Sequence, residues 1–349
     1  NNLVPFSGYL LPVCYSSIVN EHLSVRKRAG LFDVSHMGEF LISGKSAVRF
    51  LQLVTVNDVS KLKIGQAQYT VLCDESGGII DDIIIYRKKD EFMMVVNASN
   101  IDKNLKWLNS VIIGDVKIKN ISHNCDMIAI QGPFSRKILQ LLIKEDISSL
   151  SFYHFMNNID ISGHSILLSR TGYSGELGYE IYCSSDSTDN IWRVLIEYGK
   201  SHGLVPAGLG CRDTLRLEMN YLLYGNDINQ KIGPIEAGLS WITKLGKDNF
   251  IGKHKIIEKS NSINRYLFSF IMLDKAIPRH GYNIIYNDEL VGNVTSGTMS
   301  PSLNQGIGMG YIDKSCNEIG KKINIDVRGK LKKAEIIKPP FYKNGSLHS

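Results

Sequence analysis

Six short stretches rich in β-branched and aromatic residues, 265–273, 282–286, 289–295, 308–312, 322–327 and 331–337, follow one another with no helical period between them. Strands this short and closely spaced bury their apolar sides by curling round on one another, and a small β-barrel is the economical solution. The polar stretch 258–264 that precedes them has the composition of a linker. At 349 residues the chain also outgrows a single core, which stops growing near ~250 residues. A core region over 1–258 and a C-terminal barrel over 264–343 are therefore expected.

The first region mixes hairpins with single helices. Stretches 79–86 and 91–97 read as strands joined at Lys88-Lys89-Asp90. A helix fits 100–110, with Leu105, Trp107 and Leu108 on its apolar side, and a strand fits 126–130. Gly132-Pro133 opens a helix reaching about 143, with proline tolerated in its first turn. A further amphipathic helix over 189–201 uses Ile191, Val194, Leu195 and Tyr198 and stops at Gly203. The pattern predicts an α+β fold, with helices on one face of mainly antiparallel sheets, and not a doubly wound one.

Composition removes several classes of function. The longest apolar stretches, 78–86 and 265–273, fall well short of the ~20 residues that span a bilayer, so no membrane helix is expected. Segment 3–15 is broken by Pro5, Gly8 and Pro12 and lacks a basic start, which argues against a signal peptide. The chain begins without Met, leaving a processed segment upstream open. Its six cysteines lie far apart with no C-x-x-C pair, so they read as reduced, mostly buried thiols, and no metal site is expected. His22, His36 and His123 read as structural. The net charge of +6 is mild, although Lys321, Lys322, Arg328, Lys330, Lys332, Lys333 and Lys338 crowd together. Such a cluster suits an acidic partner, or more simply a solvated edge-strand face, and without interleaved aromatics it is not a nucleic-acid surface.

Four motifs remain. Residues 169–180 run Ser-Arg-Thr-Gly-Tyr-Ser-Gly-Glu-Leu-Gly-Tyr-Glu. Gly172, Gly175 and Gly178 imply backbone at positive φ or lying against a flat ligand. Tyr173 is suited to stack on such a ligand, and Glu180 to accept two N–H bonds from a guanidine-like edge such as a pterin's. A glycine-rich turn with a capping glutamate is the plainer alternative. In 74–82, Gly77-Gly78 leads into a strand carrying Asp81 and Asp82, which must point to opposite faces. An inward carboxylate amid isoleucines is costly without partners or a task, and alternation does not say which aspartate it is. In 208–218 a loop feeds a helix with Arg212 near its start, where a cation opposes the dipole and so implies an anionic partner. Asp213 and Glu218 are structural candidates for that partner. Gly306-x-Gly308-x-Gly310 is not a phosphate loop, because a strand follows it.

Taken together, seven blocks in order resemble the aminomethyltransferase, or T-protein, family of the glycine cleavage system. They are 4–9, 29–38 (Ala29-Gly30-Leu31-Phe32-Asp33-Val34-Ser35-His36-Met37-Gly38), 77–82, 129–133, 171–176, 222–228 and 294–303. The resemblance covers nearly the whole chain. It implies two interwoven folate-binding subdomains and a C-terminal β-barrel, arranged as a cloverleaf around a central channel. It also implies transfer of an aminomethyl group from the dihydrolipoyl arm of H-protein to tetrahydrofolate, giving 5,10-methylenetetrahydrofolate and ammonia.

Carried over by motif, Asp82 is the catalytic carboxylate beside the folate nitrogens, stabilising a cationic carbon and relaying a proton. Glu180 holds the pterin's amino edge and Tyr173 lines its ring. Tyr86, Asn97, Arg212 and Trp241 match further folate contacts, and Met37 and Tyr153 are apolar or aromatic walls. Leu177 departs from the family, many members of which carry an acidic residue there. The implied partners are lipoylated H-protein and tetrahydrofolate, in a bacterial cytoplasm or a mitochondrial matrix. Three alternatives are a folate-binding accessory protein of iron–sulfur cluster maintenance, whose cysteine and glutamine this chain lacks at 170–176, a tetrahydrofolate-dependent demethylase, and a basic non-enzymatic scaffold.

Overall fold

A computed structural model describes residues 3–316 and 318–348. The chain forms two compact units, the first drawn from Asn1–Thr70, Asp81–Arg212 and Asn344–Ser349, the second from Val71–Ile80 and Asp213–Lys343. Among the described residues no helix is long and apolar enough to cross a membrane.

In the first unit a six-stranded sheet runs in the order Phe155–Ile161, His164–Ser169, Gly178–Ser184, Cys125–Gln131, Ala29–Asp33, Leu204–Pro206. All its pairings are antiparallel except the last, where Leu204–Pro206 runs parallel to Ala29–Asp33. Alternation on Gly178–Ser184 sends Tyr179, Ile181 and Cys183 into the core, where they meet Ile138 and Leu139 of helix Ser135–Gln140 and Ile191 and Leu195 of helix Thr188–Gly199. Glu180 and Tyr182 therefore point to the other face. A second sheet has the order Ala67–Cys73, Ile79–Arg87, Phe92–Val96, Gly38–Ser43, Lys117–Asn120, and the chain crosses between the two units within its first two strands. Helix Ile101–Ser110 follows the strand Phe92–Val96 in the chain.

The expected helix over 132–143 is shorter, starting only at Ser135. Gly132 and Phe134 donate their N–H groups to Leu177 and Arg28, outside a helical ladder. The helix expected over 189–201 is Thr188–Gly199, with a 3₁₀ turn closed by Gly203 at φ +75°.

In the second unit six strands close into a barrel, in the order Arg265–Met272, Gln305–Asp313, Glu289–Ser300, Asn283–Tyr286, Lys322–Val327, Lys330–Ile337. The last pairs with the first through Ser269 and Ile337. Two strands exceed the sequence reading, because the hairpin between them pairs as far as Ser300 and Gln305. Gly306, Gly308 and Gly310 lie within that pairing. The edge-strand reading of the lysine cluster is corrected here: a closed barrel has no edge, and Lys322 and Lys330 stand exposed on strands paired on both sides.

Within this unit 213–218 is fastened to the barrel. Buried Arg216 donates to Asp227 at 2.8 Å, Asp213 at 2.8 Å and Ser296 at 2.8 Å, while Glu218 accepts from Ser302 and Ser300. The turn 74–78 is tied by Asp74, whose Oδ1 accepts from the N–H groups of Ser76 and Gly78. A Cβ on Gly78 would lie 1.8 Å from the Gln230 carbonyl oxygen. Gly78→Ala is thus expected to destabilise the protein by about 2 kcal/mol or more, measured by chemical denaturation. An unchanged denaturation midpoint would show that this contact relaxes freely.

Candidate active site

Strand Ile79–Arg87 settles which aspartate turns inward. Asp81 is fully buried on the face of Ile79, Ile83 and Ile85, and Asp82 is half-buried on the other. Four N–H groups meet Asp81: the Asn97 backbone at 3.1 Å, the Asn97 side chain at 2.8 Å, Asn100 at 2.6 Å and Asn104 at 2.5 Å. Asn100 caps and Asn104 belongs to helix Ile101–Ser110, whose N-terminal dipole favours the anion. Asp82 receives the same Asn97 amide at 2.8 Å and the Tyr69 hydroxyl at 3.2 Å. Burial, and then the neighbouring Asp81 charge, push Asp82 up to about 7.

A second, buried cluster forms on the other face of the six-stranded sheet, where Tyr86 of the second sheet meets it. Glu180 Oε2 accepts from Thr171, from Tyr86 at 3.4 Å and from Tyr182 at 3.5 Å, and Tyr86 and Tyr182 are themselves 2.9 Å apart. No described residue donates to Glu180 Oε1. Burial raises the Glu180 carboxyl, opposed by the Thr171 hydroxyl and the Arg212 charge. The Arg212 guanidinium sits over the Tyr173 ring at 4.7 Å. Asp213 and Glu218 are engaged elsewhere, so Arg212's anionic neighbour is Glu180. Burial and then the Asp82 charge raise the Tyr69 hydroxyl well above its ordinary value, with smaller contributions from Tyr173 and Tyr153. A chain of aromatic and charged groups thus runs from Asp82 through Tyr69 and Tyr173 to Arg212 and Glu180.

The glycine run has a different reason from the expected one. Gly175 does adopt φ +76°, but a Cβ at Gly172 or Gly178 would meet the Gln131 side chain at 2.1 or 2.3 Å. The flat group against these two glycines is the Gln131 amide, which also takes a hydrogen bond from Ser174 at 2.6 Å. Glu176 pairs with buried Arg26 at 2.7 Å and accepts from the Ser346 N–H at 2.8 Å, a structural role. Leu177 turns into the core beneath the sheet, away from Glu180.

Of the other expected residues, Tyr153 stands at φ +59°, with its N–H on the Arg170 carbonyl. Met37 is half-buried in the turn before strand Gly38–Ser43, beside His36, which burial and Arg212 push down to about 3. Trp241 belongs to the second unit, where it is 63% exposed. Sequence reasoning missed Tyr69, Thr171, Asn100 and Asn104. The asparagines at 97, 100 and 104 repeat at intervals of three and four, a helical-face spacing that could have been noticed. Tyr69 is brought in by strand pairing and left no such mark.

Comparison with known proteins decides the family. Residues 2–247 match the family described as the GCVT N-terminal domain, and residues 265–343 match the glycine cleavage T-protein C-terminal barrel domain. The chain belongs to the glycine cleavage T-protein family. A curated aminomethyltransferase of Bacillus subtilis (strain 168) is 47% identical over 343 residues, covering 97% of this chain and 95% of that one. That of Anoxybacillus flavithermus is 46% identical over 343 residues, covering 97% and 94%. The crystal structure of glycine cleavage system aminomethyltransferase T from Bartonella henselae superposes with a TM-score of 0.91 at 29% identity, over 99% of this chain and 95% of that one. In this T-protein the carboxylate pair and the Glu180 cluster both fall within the N-terminal family match.

Because Asp82 binds its proton more tightly folded than unfolded, it adds stability at low pH that is lost as pH rises from about 4 to about 7. Asp82→Asn is expected to match the wild type near pH 4 and to exceed it by about 2 kcal/mol above pH 7. Denaturation across that range checks this, and a gap independent of pH would refute it.

Proposed function

We infer that the chain is the aminomethyltransferase of a glycine cleavage system. It moves the methylene carbon of the aminomethyl group on the dihydrolipoyl arm of H-protein to tetrahydrofolate, yielding 5,10-methylenetetrahydrofolate, ammonia and the free dithiol arm. The near full-length match to both family domains supports this reading most strongly. Tetrahydrofolate supplies the nitrogens that receive the carbon.

The residues on hand suit that ligand. Glu180, with one oxygen saturated by hydroxyls and the other open, offers an acceptor of fixed orientation to an amino edge. Tyr173, braced by Arg212, gives a flat wall. Tyr86 and Asn97 act by holding the carboxylates of Glu180 and Asp82 in place, while Met37 and Tyr153 are further folate contacts; Trp241 is carried as a folate contact by the family motif alone. Asp82 is the catalytic group: half-buried in a low-dielectric setting, its carboxylate stabilises the positive charge that develops on the transferred carbon as ammonia departs. The same carboxylate takes up the proton released as the new carbon–nitrogen bond forms. The barrel over 264–343 and the core over 1–258 are proposed as the two sequence domains, although 71–80 and 213–258 of that core belong to the same compact unit as the barrel, and bacterial relatives fit a bacterial cytoplasm.

Asp82→Asn is expected to keep tetrahydrofolate affinity within a few-fold and to lower kcat by ~10²-fold or more, as for a group acting chiefly on the transition state. Turnover of aminomethyl-loaded H-protein at wild-type rate in that variant would remove Asp82 from the mechanism. Glu180→Gln should weaken folate binding about tenfold, read by isothermal titration, because a charge-assisted acceptor is lost. An unaltered Kd would count against Glu180.

A further inference from the structure

We propose that Asp81 is a positioning residue for the Asp82-dependent step: a buried carboxylate, tied down by three asparagines, that keeps the proton of the pair on Asp82. The inference rests on Asp82 being the catalytic carboxylate and adds how its proton is controlled. The argument is one of donors and acceptors. Every group bonded to Asp81 is an N–H, and one of them is the backbone of Asn97, which cannot be reversed. A carboxylate in such a nest is acceptor-only, and a proton on it would face donors.

Asn104 sharpens the point. Its nitrogen faces Asp81 while its own oxygen is buried with no hydrogen-bond partner. Turning the amide nitrogen-first at the expense of its own oxygen is the orientation that an anion selects and a neutral acid does not. Asp82 is placed differently. It shares the Asn97 amide nitrogen with Asp81 and meets its own backbone N–H and the Tyr69 hydroxyl, which donates to a carboxylate and accepts from a carboxylic acid equally well. Two carboxylates bridged by one amide cannot both ionise freely, and the surroundings put the proton on Asp82.

Burial raises the Asp81 carboxyl, and its bonds from Asn97, Asn100 and Asn104 oppose that rise. Lys103, on helix Ile101–Ser110, favours the Asp81 anion. Tyr69 faces Asp82, Tyr153 and Tyr173 face Tyr69, and the Arg212 guanidinium lies beyond, over Tyr173. Asp82 thereby exchanges its proton near neutrality, where it can both take a proton and return one.

The test is the pH dependence of kcat for wild type and Asp81→Asn, with aminomethyl-loaded H-protein and tetrahydrofolate. Removing the Asp81 charge is expected to move the acid limb downward by about one pH unit. A limb that stays in place while activity falls equally at every pH would make Asp81 merely structural and overturn the proposal. A measurement on the wild type and Asp82→Asn keeps the question open should Asp81→Asn not fold. In infrared titration the wild type should show a protonated-carboxyl band that vanishes around pH 7, and Asp82→Asn should lack that pH-dependent part. Glu39, buried and held protonated to about 9, is common to both proteins and cancels in the difference. A titrating band that persists in Asp82→Asn would put the proton on Asp81 and refute the proposal. Full turnover by Asp82→Asn would instead remove the catalytic reading, while the band still reports where the proton sits.

Discussion

One amide nitrogen, that of Asn97, lies 2.8 Å from an oxygen of Asp81 and 2.8 Å from an oxygen of Asp82. Adjacent residues on a strand face opposite ways, so a single side chain reaches both carboxylates only if it comes from the end of the neighbouring strand. Asn97 occupies that place, immediately after Phe92–Val96 and before the turn into helix Ile101–Ser110. The hairpin, the helix N-terminus and the carboxylate pair are consequently one construction. Shifting the register of the hairpin by a residue would invert every side chain on it and separate the pair from its donors.

The two aspartates are treated unequally by their surroundings. Asp81 has four N–H partners and no solvent, whereas Asp82 has two side-chain partners and partial exposure. Identical side chains acquire distinct proton affinities from their surroundings alone. The Glu180 cluster follows a similar logic on a separate sheet, where three hydroxyls crowd one carboxylate oxygen.

How much of this was legible in the sequence depends on how local the signal is. The α+β class, the barrel and its six strands could be read directly, because period-two alternation and turn residues are local properties. The strands Glu289–Ser300 and Gln305–Asp313 were read short because their glycine-bearing ends pair only through a long hairpin. The Asp81–Asp82 dilemma could be stated but not resolved, since the donors that decide it come from another strand and a helix. Gly172 and Gly178 could be recognised as crowded but not by what: Gln131 lies about forty residues away in the chain and reaches them through antiparallel pairing of Gly178 with Gln131. Tyr69 left no trace, since a tyrosine in a strand looks the same whether it fills a core or faces a carboxylate.

That crowding carries an evolutionary consequence. Gln131, Gly172 and Gly178 interlock so that a methyl group on either glycine would push the Gln131 amide out of its place. Moving it disturbs its bonds to the Thr171 and Tyr179 carbonyls and from the Ser174 hydroxyl. Replacement at either glycine is thus coupled to the glutamine. Lineages should therefore inherit the three positions together, long after the surrounding surface has drifted.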